Sequence, residues 1–182
     1  MSRSVIFNDN NAPVSITSES SRSRASVLGR LIEIIALGSD KKRNLKRDPA
    51  EIEVKIDFNS LASYRWLVDS YIENSLLVDD SVIELNRVIA NGSTKLKRQM
   101  NRFYYESLAK FRIPTKPVDI LLLRKNADFI VEDVMDRAAA FVKKSNDLGD
   151  GYYDEDISWG IELITSYSII ECIVLENPND HN

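Results

Sequence analysis

The stretch Asn91–Glu106, NGSTKLKRQMNRFYYE, gathers Lys95, Lys97, Arg98 and Arg102 directly after a helix-start signal. Positive charge near a helix N-terminus is disfavoured by about 0.3–1 kcal/mol. These cations therefore either hold something anionic or line an ordinary solvated face. On a helix beginning near Thr94, Lys95, Arg98 and Arg102 share an outer stripe opposite Leu96, Met100 and Phe103. Unsatisfied first-turn N–H groups beside Lys95 and Arg98 favour a phosphate or carboxylate. The preceding helix, the Asn-Gly-Ser turn and this helix give a helix-turn-helix outline, and Lys41, Lys42, Arg43, Lys46 and Arg47 form a second basic patch. Tyr104 and Tyr105 fit base stacking, and equally fit the margin of an amphipathic core.

The charge is segregated along the chain. From Gly149 to Asn182 there are eight acidic residues and no Lys or Arg, whereas Ser81 to Arg112 holds seven cations against two acids. Such a bipolar chain fits a nucleic-acid surface, an acidic partner protein, or an acidic end that neutralises its own basic segments.

Catalytic equipment is sparse. The one histidine, His181, is penultimate in a polar tail where nothing in the sequence fixes its position. Cys172 is the only cysteine, so no intrachain disulfide or cysteine-based metal cage can form, and its setting SIIECIVL predicts a buried, inert thiol. No phosphate-cradling glycine motif is present, and there are six glycines in all. The loop NDLGDGYYDEDI places Asn146, Asp150, Gly151 and Asp154 at calcium-loop positions, but Leu148 and Ile157 stand where two further ligands are required. Glu132, Asp133 and Asp136 read as charges on the exposed side of a long helix. The sequence therefore predicts no enzyme, no cofactor and no metal; the remaining alternative is a carboxylate-dependent metal enzyme, which would need metal held by the loop from Asp147 to Asp156.

The elements that position these residues are mostly helical. Residues 1–24 are polar and read as a flexible arm, residues 25–176 as one helical domain, and residues 177–182 as a polar tail. Helices are predicted from Ala25 to Gly38, from Asn59 to about Val78, from Ser81 to Asn91 behind an S-V-I-E capping box, from Thr94 to Pro114, from Val118 to Lys144, and from Asp156 to Glu176. The last is apolar nearly all round, which predicts a place at the bundle centre or at an oligomer interface. Glu51–Phe58, EIEVKIDF, alternates with period two, so a short strand is predicted there. Its mate would be Ser4–Phe7 or another chain, the latter making Ile52, Val54, Ile56 and Phe58 a strand-edge binding site.

The expectation is a mainly α, about six-helix bundle with one short strand or two-stranded β element in the N-terminal third. With no leader and no long apolar run, it is expected to be cytoplasmic and not membrane-bound. Its expected role is that of a non-enzymatic interaction module, an accessory subunit or adaptor that binds another protein subunit as a homo- or hetero-oligomer. DNA or RNA binding through the basic helix at 94–112 and the basic loop at 41–47 is the alternative.

Overall fold

The computed structural model describes residues 25–38, 49–145, 148 and 152–181. Six α-helices occur among them: α1 (Val27–Ala36), α2 (Pro49–Asn59), α3 (Arg65–Val88), α4 (Gly92–Lys110), α5 (Ile120–Val142) and α6 (Asp154–Ile170), followed by a 3-10 turn at Pro178–His181. The mainly helical expectation holds. None of the described helices is long and apolar enough to cross a membrane.

Helix α6 lies at the centre, packed against α1, α3, α4 and α5. From Gly160 to Ile170 every residue except Glu162 is buried. Its all-round apolar character is therefore consumed by the chain's own helices. Two serine hydroxyls inside this core turn to backbone: Ser168 Oγ donates to Ile164 O, and Ser166 Oγ lies 2.8 Å from Leu67 O on α3. Gly160 permits the closest approach, because a Cβ there would stand 2.9 Å from both Cγ atoms of Ile32 on α1.

The strand expected at Glu51–Phe58 is instead helix α2. Pro49 suits a first helical position, where its missing N–H costs nothing. The buried face consists of Ile52, Lys55, Ile56 and Asn59, which recur at helical spacing although two of them are polar. Lys55 Nζ donates to Ile169 O, and Asn59 Nδ2 donates to Glu176 O at 2.9 Å while Asn59 Oδ1 accepts from Glu176 N at 3.0 Å. Polar anchors thus complete a helical pattern whose apolar half alone alternates like a strand. Val54 projects into solvent, and Phe58 meets Arg124 and His181. No strand edge is formed by Ile52, Val54, Ile56 and Phe58, and Ser4–Phe7 lies outside the described residues.

The two helices expected on either side of residue 80 are one, α3. Ser81 is not a cap: it is 3% exposed and sits on the inner stripe with Val78, Val82 and Leu85. A small buried serine mimics the start signal of a helix.

Three helices end the same way without glycine. Ser60, Arg112 and Cys172 adopt positive φ of 57°, 57° and 55°. After each, Leu61, Ile113 and Ile173 donate backward to Ile56 O, Leu108 O and Ser168 O, closing a Schellman motif with a buried apolar residue. This sets Cys172 outside the helix with its side chain exposed, against the expectation of a buried thiol.

Candidate functional site

The basic face of α4 is where the sequence points first. Asn91, in the left-handed region, precedes the helix, and the Ser93 N–H is taken by Asn86 Oδ1 at 2.9 Å. A Cβ at Gly92 would stand 2.8 Å from Leu85 Cγ and Leu85 O, so glycine makes the tight α3–α4 turn. Lys97 Nζ lies 3.1 Å from Glu171 Oε2 and Arg102 Nε 2.8 Å from Glu106 Oε1. Half of the four cations are thus neutralised within the chain, one of them by the acidic C-terminal segment. Lys95 and Arg98 are exposed and have no acidic partner among the described residues. Lys41, Lys42, Arg43, Lys46 and Arg47 lie outside the described residues. The tyrosines divide: Tyr104 is 3% exposed, whereas Tyr105 is open to solvent.

Beside this face α4 and α5 are clamped by charge. Asp133 is buried, and its carboxylate accepts from Ser107 Oγ at 2.7 Å, Lys110 Nζ at 2.5 Å and Arg137 Nε at 2.6 Å. Arg137 also reaches Glu106 Oε2 at 2.9 Å, so the chain of charges ends at Arg102. Burial alone would raise the Asp133 carboxyl, but its Lys110, Ser107 and Arg137 partners outweigh that and hold it below the usual range. Every group in the cluster has a partner, which is the arrangement of a structural clamp rather than of a poised acid or base. Asp133 is therefore not the exposed helix charge that the sequence suggests, whereas Glu132 and Asp136 are exposed.

A second cluster gathers at the chain's C-terminal segment. Glu176 receives Tyr104 Oη at 2.8 Å and lies 3.2 Å from His181 Nε2, and the His181 ring stacks on Phe58 at 5.7 Å between centroids. His181 is thus held by two partners, contrary to the unfixed tail expected. A cleft of about 400 Å³ opens nearby between α2 and the turn after α6, lined by Ile52, Val54, Lys55, Cys172 and Asn177. His181 is paired with Glu176, whereas Cys172 Sγ meets Ile170 O, so among the described residues the two do not pair. Asp154 of the calcium-like loop sits in the first turn of α6, and among the described residues no three metal ligands converge.

The outer face of α5 carries what sequence periodicity leaves unassigned. Its inner stripe, Leu123, Ala127, Ile130 and Val134, is fully packed, yet Leu121 is 78% and Phe129 58% exposed. The Phe129 ring lies 6.3 Å from that of Phe111 at the end of α4, and Lys110 stands over Phe111. Asp128 fastens the same helix to the α2–α3 loop by accepting from the backbone N–H groups of Ala62, Ser63 and Tyr64. The signal for this face is in the sequence: ILLLRKNADF has too many large apolar residues for one helical stripe. Comparison of the chain with protein-family models, with curated proteins and with solved structures gives no match.

Proposed function

We propose that this chain is a non-enzymatic interaction module, an accessory subunit or adaptor of a cytoplasmic assembly. The observation that carries the reading is the solvent-facing Leu121, Leu122 and Phe129 on the outside of α5, large apolar side chains left over after a complete core has formed. Burial of such groups against a partner is the ordinary driving force of association. The clusters at Asp133 and Glu176 support it from the other side, since Asp133 ties α4 to α5 and Glu176 ties the C-terminal segment to α4.

Nucleic acid is the competing partner. Through α4 alone it has Lys95 and Arg98 to work with, so its affinity would fall with salt at a logarithmic slope of about −2. The test is the mass of the full chain by light scattering together with its recovery from native cells, with and without nuclease. A stable oligomer or a stoichiometric protein partner that survives nuclease is expected. A monodisperse monomer recovered alone sinks the reading, and material that leaves with the nuclease transfers it to the nucleic-acid alternative.

A further inference from the structure

We infer that the outer face of α5 is the docking surface for a second copy of this chain, packed antiparallel about a two-fold axis at Phe129. Leu122, Lys125, Phe129, Glu132 and Asp136 follow a three-four spacing along one stripe, on the side of α5 opposite its buried residues. The stripe is apolar at Leu122 and again at Phe129 and acidic at its far end, and its charge is ordered: Lys125 lies one turn before Phe129, and Glu132 and Asp136 lie one and two turns after it. Lys125 has no acidic partner among the described residues, and Glu132 is engaged only by the hydroxyl of Tyr64.

Charge order selects the arrangement. A parallel pair sets Lys125 against Lys125 and Glu132 against Glu132, which is repulsive on both sides. An antiparallel pair with its axis at Phe129 sets Lys125 of each copy against Glu132 of the other, twice by symmetry, and brings the two Phe129 rings together at the centre. Moving the axis one turn toward Glu132 stacks acid on acid. A self-complementary patch of this kind is what an isologous contact requires. Phe111, alongside Phe129, widens the apolar centre.

This inference rests on the reading of the chain as an interaction module, and the test separates the two. Analytical ultracentrifugation of the full chain gives the dimer dissociation constant for the wild type, Lys125→Glu, Glu132→Lys, the double exchange and Phe129→Asp. All three positions are exposed, so folding, followed by circular dichroism, is unchanged. The wild type is a dimer; each single charge reversal weakens it at least tenfold, the double exchange returns it to within about threefold of wild type, and Phe129→Asp gives a monomer. A wild-type monomer, or a double exchange no tighter than the singles, overturns the second copy as occupant. A different protein recovered from native cells together with that monomer keeps the module reading standing.

Discussion

Tyr104 on α4 donates its phenolic O–H to Glu176 Oε1 at 2.8 Å, across 72 residues of sequence. The bond joins the middle of the fold to the segment beyond α6, and Asn59 of α2 holds the same residue by its backbone in both directions. Burial first, and then the neighbouring Glu176 charge, push the Tyr104 hydroxyl well above its ordinary value. The neutral phenol is therefore favoured in the folded state. Its contribution is fully present below the ordinary tyrosine value of about 10 and is lost as pH rises beyond it, because the unfolded chain ionises first.

Tyr104→Phe removes the donor and leaves the ring. A bond to a charged acceptor is worth about 1.5–3 kcal/mol, so a loss near the lower end is expected in urea unfolding at pH 7. The variant's stability then falls less steeply than wild type between pH 9.5 and 11. An unchanged alkaline slope would show that Tyr104 is not the group responsible.

Asp133 gives the opposite pH dependence. Its folded value is depressed, so its contribution is present above the ordinary carboxylate value of about 3.9 and disappears as pH falls through the folded one. Asp133→Asn strands Lys110 and Arg137 beside a neutral amide. About 3 kcal/mol should be lost at pH 7. The gap between wild type and variant narrows in acid, as the pH falls below the ordinary carboxylate value towards the depressed folded one; a gap that does not begin to narrow below about pH 4 contradicts this account.

Where hydrophobic periodicity matched burial, the fold was legible. The apolar belt of α6 and the inner stripe of α5 both lie where their spacing puts them. Where burial is polar, the pattern misled. Lys55 and Asn59 are buried because α6 and Glu176 offer them backbone partners more than a hundred residues away, a fact no local window contains. Ser81 was misleading for the same reason, as a polar residue of the core stripe. At the site, the Arg102–Glu106 pair is readable as an i,i+4 spacing, whereas Lys97–Glu171 and Tyr104–Glu176 depend on how α4 meets the end of α6. The exposure of Cys172 follows from a left-handed C-terminal residue where glycine, the usual marker, is absent.

Arg112 presents the same left-handed geometry in an exposed position. A side chain there costs about 1–2 kcal/mol relative to its preferred conformation. Glycine avoids that cost but adds freedom to the unfolded chain, by about 0.5–1 kcal/mol. Arg112→Gly should therefore stabilise by about 0.5 kcal/mol, the net of these effects. A raised urea midpoint with unchanged slope is the expected reading, and a lowered midpoint would show that the arginine side chain contributes more than its backbone conformation costs.

Gly160 tests the α1–α6 contact in the reverse direction. Alanine is the better helix former by about 1 kcal/mol, so propensity alone predicts that Gly160→Ala stabilises α6. The added methyl, however, falls 2.9 Å from both Cγ1 and Cγ2 of Ile32, a buried residue of α1. A β-branched side chain is stiff at χ1, and with both branches struck, no rotation clears the methyl. Overpacking of this kind costs about 1–3 kcal/mol, more than propensity returns. A net loss of about 1 kcal/mol is expected for Gly160→Ala, as the difference between the two effects. In an Ile32→Ala background both Cγ atoms are gone, and the same substitution should become neutral or stabilising. If it remains as costly there, the close approach of Ile32 is not what keeps position 160 a glycine.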